Sequence, residues 1–165
     1  METLEKTKIY KKLGFNSEET KEVVTNLNLL LANLHVHYQK LRNYHWNVTG
    51  AEFFDIHETT ESEYNEVKEE IDEIAERIRV FGATPISTLE EYLKVSEIKE
   101  TGTDLKAMEM VKEILNDMEI LLSFMVDTVE SARSIGDIST DDLVTGFMKR
   151  REKIHWMLTS FAKEE

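Results

Sequence analysis

The feature that most constrains this chain is the scarcity of residues that end helices. Its 165 residues contain one proline and six glycines. So few breaks favour long helices. The sequence shows no internal repeat, linker or low-complexity segment. A chain of this length is expected to form one domain with a sizeable hydrophobic core.

Apolar residues at helical spacing predict four long helices and one short one. The first begins after the cap Asn16, with Glu19 placed as in a capping box, and Gly50 is expected to end it. A short helix, TLEEYLK, capped by Ser87 or Thr88, lies in the long connection between the second and third helices. The long helices are expected at about residues 16–47, 53–81, 104–134 and 140–161. This all-α pattern indicates a four-helix bundle with one crossover, as in ferritin-like folds, in residues 16–165 after an N-terminal arm of residues 1–15.

The residues expected to face the core recur every three or four positions. In the first helix they are Leu27, Leu31, Leu34, Tyr38, Leu41 and His45. In the third they are Leu105, Met108, Val111, Leu115, Met118, Leu122, Met125 and Val129, and in the fourth Leu143, Phe147, Ile154, Leu158 and Phe161.

A dense run of acids, residues 57–76, falls within the second helix. At about 100° per residue, four possible metal ligands share a face about 100° wide, which is the width of a core-facing stripe. These four residues, called here the acidic stripe, are His57, Glu61, Asp72 and Glu76. Apolar residues lie in or beside it, so we expect the stripe to be buried. Because a buried charge needs a partner, a bound cation is the expected compensation.

The length of the acidic stripe limits how it can bind metal. Glu61 and Asp72 stand roughly 16 Å apart along the helix axis, too far to share one ion. Either the stripe holds two separate pairs, or one chain's pair meets the other pair of a second chain across a twofold axis near Glu66 and Val67. A twofold contact is self-complementary and would build two identical sites. We interpret the stripe as a metal site between subunits.

His45 adds a second histidine to this region. A histidine on a core-facing stripe is, alone, more typical of a hydrogen-bonded core residue than of a ligand. Together with His57 and the two carboxylate-bearing pairs, it favours iron, manganese or zinc. The chain has no cysteine, which excludes a thiolate zinc site. The segment HETTE lacks the second histidine of a zinc protease motif. Only Glu152 and His155 fit the within-bundle Glu-x-x-His pattern of the larger ferritins, so that pattern fails.

Other polar residues have simpler interpretations. His35 and His37 point in different directions from one helix and are expected at the surface or an interface. His155, beside Trp156, is expected to make a packing or interface contact. Three acids at the start of the fourth helix suit either the helix dipole or a cation pore, and both interpretations stay open. They are Asp137, Asp141 and Asp142.

Charge and hydropathy limit the classes of function. The formal net charge is −13, which attracts cations and argues against a surface that coats nucleic acid. The N-terminus lacks the apolar segment of a signal peptide, and no apolar run approaches the roughly 18 residues of a membrane span. We therefore expect a soluble cytoplasmic protein with no membrane partner.

The segment YHWNVTGAEFFDIHETTE, followed by AERI and, near the C-terminus, WML, resembles the signature of the Dps family, the mini-ferritins. The spacing from His45 through the acidic stripe matches that of the family's ferroxidase ligands. The resemblance implies that His45, His57 and Glu61 come from one chain, and Asp72 and Glu76 from its twofold partner. One departure is that the family's usual residue at position 61 is Asp. The Glu61 side chain is one methylene longer, so its carboxylate reaches farther and the occupancy of the second metal position is expected to differ.

The same resemblance implies further roles for single residues. Trp46 is a redox-active neighbour of the site, and Glu58 a residue that nucleates mineral. Asp142, and less closely Asp137, match the acids of the family's threefold entry pores.

The resemblance also implies an assembly and an activity. The assembly is a hollow homo-dodecamer with tetrahedral symmetry in the bacterial cytoplasm. The activity is a ferroxidase reaction, in which Fe²⁺ is oxidised, preferably by hydrogen peroxide, at di-iron sites between subunits. Iron is thus the bound metal, and ferric mineral is stored in the cavity, which protects the cell from oxidative damage.

Two alternatives remain open. The first is a nucleoid-associated protein that compacts DNA through its N-terminal arm and keeps a vestigial metal site. Residues 1–12 carry four lysines against two acids, and repeated arms add avidity. The second is a helical bundle that only assembles, with its buried acids paired to other side chains.

Overall fold

The structure, a computed structural model, describes residues 14–163. Within that range the chain forms helices and turns and no strand. The helices are α1 (Ser17–Asn47), α2 (Phe53–Val80), α3 (Leu89–Val95), α4 (Ala107–Ser134) and α5 (Ile138–Phe161). The prediction of an all-α bundle with a short helix in the long connection is confirmed. The predicted N-terminal arm lies outside the described residues except for its last two positions.

The four long helices form two pairs joined by the crossover. α1 packs against α2, α4 packs against α5, and α1 packs against α4 across the bundle. Short loops at residues 48–52 and 135–137 make the helices of each pair antiparallel neighbours. The short helix α3 lies on α1. No helix within residues 14–163 is long and apolar enough to cross a membrane.

Capping residues explain most of the helix ends. The side chain of Asn16 accepts from the backbone N–H groups of Glu18 and Glu19, both at 3.0 Å, and Glu19 completes the predicted capping box. α1 ends at Asn47, as expected, but its C-cap is Val48 and not Gly50, so only the expected role of Gly50 is wrong. Gly50 instead has a φ of 105° in the following turn, a conformation that glycine adopts without strain.

Two helix starts differ from the sequence-based expectation by two or three residues. α4 begins after Lys106, whose backbone N–H donates to Glu109 Oε2 at 2.8 Å. α5 begins at Ile138 because Asp137 caps it, accepting a hydrogen bond from Thr140 N at 3.2 Å. Periodicity alone does not show where a helix starts, because the cap decides it.

The core contains most of the expected residues and several that were not expected. Every residue expected inward on α1 is buried except the half-buried Tyr38. The deepest positions of α4 include three that the expected set lacks, Met110, Ile114 and Leu121. On α5, Phe161 is 38% exposed, whereas Thr140, Val144 and Arg151 are fully buried. The expected inward face of α5 is therefore partly wrong.

The expected burial of the acidic stripe is also wrong for a single chain. α2 turns a different face to the core, comprising Ile56, Thr60, Glu63, Val67, Glu70, Ile74 and Ile78. At about 100° per residue, the acidic stripe lies about 140° away from that face. Its three acids are exposed and His57 is half-buried. Periodicity reveals which residues share a face but not which face meets the chain's own core.

Asn33 anchors the crossover to α1. This fully buried side chain accepts through Oδ1 from Ser96 Oγ at 3.1 Å and from the backbone N–H groups of Glu97 and Ile98 at 3.0 Å. Its Nδ2 donates to Leu29 O at 2.9 Å. One side chain thus satisfies polar groups where the segment after α3 turns over the bundle.

Candidate metal site

The two histidines of the predicted site lie face to face where α1 meets α2. Their ring centroids are 3.8 Å apart and the ring planes differ by 17°. Nδ1 of His45 lies 2.8 Å from the backbone carbonyl oxygen of His57, and Nδ1 of His57 lies 2.8 Å from that of His45. The turn at residues 48–52 brings the end of α1 beside the start of α2 and so makes this reciprocal contact.

This pairing determines which ring atom is free to bind metal. A carbonyl oxygen only accepts hydrogen bonds, so each Nδ1 must carry the proton and donate it. Each neutral ring then keeps its lone pair on Nε2. Histidine ligands in proteins are commonly oriented in this way, with the second ring nitrogen donating to a backbone carbonyl. Both rings are therefore prepared as Nε2 ligands.

Aromatic side chains hold the two imidazoles in place. The ring of Phe53 stacks on His57 at 4.9 Å, and Tyr64 meets His45 edge to face at 5.4 Å. Tyr38 in turn contacts Tyr64 at 6.1 Å. His45 is 8% exposed. The packing restricts rotation of the rings, so little conformational entropy is lost when an ion binds.

The predicted acidic ligands are not gathered in one chain. Glu61, Asp72 and Glu76 are all exposed on α2. Within residues 14–163 of one chain, no group of three His, Asp or Glu side chains lies close enough to hold a metal ion. The single chain thus brings His45 and His57 together and leaves the acids of the stripe at the surface. The assignment of these five residues as ligands stays a prediction.

The other predicted site residues lie in different surroundings. Trp46 is 57% exposed, and the guanidinium of Arg42 lies 4.7 Å from the centre of its ring. Glu58 and Asp142 are exposed. Asp137 is 2% exposed, and its Oδ1 accepts from Arg77 Nη2 at 2.7 Å besides capping α5. The helix-capping interpretation is therefore confirmed for Asp137, whereas a pore role for Asp142 stays a prediction.

Sequence reasoning missed a buried charged group on α1 and α4. His37, expected at the surface or an interface, is fully buried, so that expectation is wrong. Its Nδ1 lies 3.1 Å from Asp117 Oδ2, and Lys40 Nζ donates to Asp117 Oδ1 at 2.8 Å and to Glu113 Oε2 at 3.0 Å. Burial lowers the pKa of His37 below its ordinary value, although the hydrogen bond and charge of Asp117 oppose the shift.

A second buried charged group joins α2 to α5. Arg150 donates to Glu63 at 2.9 Å and to Glu70 at 3.2 Å, and Arg151 donates to the other oxygen of Glu70. Glu63 and Glu70 are only 2% and 3% exposed. The spacing of Glu63, Val67 and Glu70 was a signal for these partners, because acids at core spacing need cations. The arginines that supply them are distant in sequence.

Comparison with known proteins places this fold in a family. A ferritin-like domain model matches residues 24–164. The DNA protection during starvation protein of Porphyromonas gingivalis is 39% identical over 155 residues, covering 94% of this chain and 98% of that protein. The chain belongs to the Dps family. The prediction of this family from the segment around His45 and His57 is thereby confirmed.

Other Dps proteins agree in sequence and in fold. DNA protection during starvation protein 2 of Bacillus anthracis is 40% identical over 144 residues, which cover 87% of this chain and 99% of that protein. The crystal structure of the Dps protein from Vibrio cholerae O1 superposes with a TM-score of 0.89 at 34% identity, covering 92% of this chain and 96% of that one. It is described as a member of a broad superfamily of ferritin-like diiron-carboxylate proteins. The four-helix bundle of this chain is thus the Dps fold.

Proposed function

We propose that this Dps protein oxidises Fe²⁺ at sites formed between two chains and stores the ferric product inside a hollow dodecamer. The observation that carries the proposal is the reciprocal pairing of His45 and His57, which leaves both Nε2 atoms as ligands. Two neutral imidazoles are only part of a binding site for iron, which also favours carboxylate oxygens.

The remaining ligands are assigned to the acidic stripe. Glu61 lies one turn after His57 on α2, on the same side of the helix. Asp72 and Glu76 lie farther along α2 than one ion can reach, so we assign them to the second chain at each site. The exposure of all three acids in one chain supports this assignment, because a charged face about 140° from the core can meet another subunit.

Each group has a definite task in the reaction. The carboxylates place negative charge where iron gains positive charge, which stabilises the ferric product more than the ferrous substrate. The imidazoles, held by backbone carbonyls and by Phe53 and Tyr64, keep the ions in fixed positions. Two Fe²⁺ ions give one electron each to one hydrogen peroxide molecule, which takes up two protons and leaves as two waters. Paired transfer of electrons avoids release of hydroxyl radical.

Three residues near the site have proposed supporting roles. Trp46, beside Arg42 and exposed, is a candidate electron donor close to His45. Glu58 is a candidate for nucleating mineral, and Asp142 for lining an entry pore. The acidic net charge of the chain supports attraction of Fe²⁺ to the assembly. We assign the protein to the bacterial cytoplasm.

The test is oxidation of Fe²⁺ by stoichiometric hydrogen peroxide without oxygen, with particle mass measured by size-exclusion chromatography on the same sample. We expect fast oxidation, near two Fe²⁺ per peroxide, by a particle of about twelve subunits. Asp72→Ala is expected to slow oxidation and leave the particle intact. A slow monomer or dimer would contradict both the assembly and the intersubunit site.

The Glu at position 61 calls for a separate comparison. Its side chain is one methylene longer than the Asp usual in the family, so Glu61→Asp is expected to change the occupancy of the second metal position. The measurement is the number of Fe²⁺ or Zn²⁺ ions bound per chain by calorimetry. Equal stoichiometry and affinity in both forms would show that the added reach has no effect.

DNA binding is the second candidate, because the relatives from P. gingivalis and B. anthracis are named DNA protection during starvation proteins. The lysines of residues 1–12 are its proposed contacts. Retention of DNA that weakens with salt and disappears on deletion of residues 1–12 would support it. No retention at low salt would rule it out.

A further inference from the structure

Among residues 14–163, five buried side-chain atoms lack a hydrogen-bond partner. One is Oδ2 of Asp137, at the start of α5. The other four belong to three residues inside the bundle: His37 Nε2 on α1, Glu63 Oε2 on α2, and both Nε and Nη1 of Arg151 on α5. His37 and Arg151 are fully buried and Glu63 is 2% exposed. Buried polar side-chain atoms are nearly always hydrogen-bonded to protein or ordered water. Four such atoms on three residues therefore indicate a bridging group.

The three side chains belong to one region near the middle of the bundle. Glu63 and Arg151 are linked to each other through Arg150 and Glu70. The charges of Glu63 and Arg151 both act on the His37 imidazole, in opposite directions. Each residue lies well inside its helix, away from the ends. The ion pairs between α2 and α5, and the action of both charges on His37, indicate that the unpartnered atoms lie in one region of the bundle.

The hydrogen-bonding character of these atoms identifies what can join them. Nδ1 of His37 faces the Asp117 carboxylate and carries the proton, so Nε2 is an acceptor. Oε2 of Glu63 is a second acceptor, since its carboxylate is paired with Arg150. Nε and Nη1 of Arg151 are donors. A molecule at this place must donate two hydrogen bonds and accept up to two, which is the capacity of water.

The charges of the two groups favour a neutral molecule. The cations are Lys40, Arg151 and Arg150, the last of which is 26% exposed, and the buried anions are Asp117, Glu63 and Glu70. Two further carboxylates, Glu113 and Glu66, are 40% and 55% exposed and are neutralised in part by solvent. A metal ion or an anion would upset a balance of three against three, at a large cost in desolvation.

We propose that His37, Glu63 and Arg151 form a buried binding site for an ordered water molecule at the centre of the helix bundle. The water donates to His37 Nε2 and Glu63 Oε2 and accepts from Arg151. It joins the charged group of α1 and α4 to that of α2 and α5, and so completes one hydrogen-bonded network across the bundle.

The decisive experiment is a high-resolution crystal structure of the assembled protein, with crystals soaked separately in Mn²⁺ and in bromide. We expect one electron-density peak within about 2.6–3.2 Å of His37 Nε2, Glu63 Oε2 and an Arg151 nitrogen. No anomalous signal should appear there in either soak. A manganese peak, a bromide peak, or direct hydrogen bonds among the three side chains would each overturn the proposal.

A pair of variants tests the same site in solution. Oxygen-17 relaxation dispersion of the intact particle counts water molecules with long residence times. His37→Leu removes an acceptor from the proposed site and is expected to lose at least one such water per chain. Thr128→Val is the matched control, because the buried Thr128 hydroxyl donates to Phe124 O of its own helix at 2.7 Å. Equal counts in the wild type and both variants would contradict the proposed site.

Discussion

Nδ1 of His45 and Nδ1 of His57 each donate at 2.8 Å to the backbone carbonyl oxygen of the other residue. The contact closes the turn between α1 and α2 and presets both imidazoles before any ion arrives. The same two hydrogen bonds thus stabilise the hairpin and leave Nε2 of each ring as the atom available to a metal. A change in either side chain is therefore expected to weaken the hairpin as well as the proposed metal site, because it leaves a backbone carbonyl without its donor.

His57→Ala is predicted to reduce the rate of Fe²⁺ oxidation by about tenfold or more, because it removes one proposed ligand and the ring that stacks on His45. Stopped-flow absorbance of ferric products measures the rate. His155→Ala is the control, since His155 bonds Glu119 on another part of the chain and should leave the rate unchanged. An unaltered rate in His57→Ala would argue for the assembly-only bundle.

Arg151→Ala is predicted to lower the free energy of unfolding by about 3–5 kcal/mol, because it leaves the buried Glu70 carboxylate without one of its cations. Arg133→Ala provides the control: Arg133 is 63% exposed in its pair with Asp141, and a solvent-exposed pair contributes little to stability. Urea denaturation of both variants measures the difference. Similar losses of unfolding free energy in the two variants would show that burial does not determine how much an ion pair contributes to stability.

Stability is predicted to fall as the pH drops below about 6.5. Burial lowers the pKa of His37 in the folded chain, so the unfolded chain binds more protons in this range. The contribution of neutral His37 to stability is complete above the pKa that this histidine has in the unfolded chain. It is lost as the pH falls through the lower pKa that His37 has in the folded chain. Denaturation from pH 8 to pH 5 measures it, and His37→Gln should show a smaller slope. An identical slope would assign the acid sensitivity to other groups.

Asn33→Ala is predicted to destabilise the crossover by about 2–4 kcal/mol, since the backbone N–H groups of Glu97 and Ile98 lose their acceptor. Faster hydrogen exchange at these two amides measures the local effect. Asn47→Ala serves as the control, because Asn47 is exposed and, among the described residues, its side chain bonds within α1. Unchanged exchange at Glu97 and Ile98 would contradict the anchoring role of Asn33.

Much of the local structure was predictable because it depends on neighbours in the chain. The capping box of Asn16 and Glu19, the short helix after Thr88 and the end of α4 at Ser134 are all as expected. The starts of α4 and α5 were less predictable, since Lys106 and Asp137 cap them through contacts that periodicity does not reveal. The pairing of His45 with His57 needs the hairpin to be folded.

The sequence by itself determined the helices, the family, and the set of residues that share the acidic stripe, because each depends on spacing along one helix or on a local signature. Tertiary structure alone decided that the stripe lies away from the core and that Glu63, Glu70 and Asp117 are buried with arginine, lysine and histidine partners. The physical reason is that one helix can carry two polar faces. Packing against the other helices alone decides which of the two faces is buried. That choice also decides which charged side chains lose their hydration and need partners.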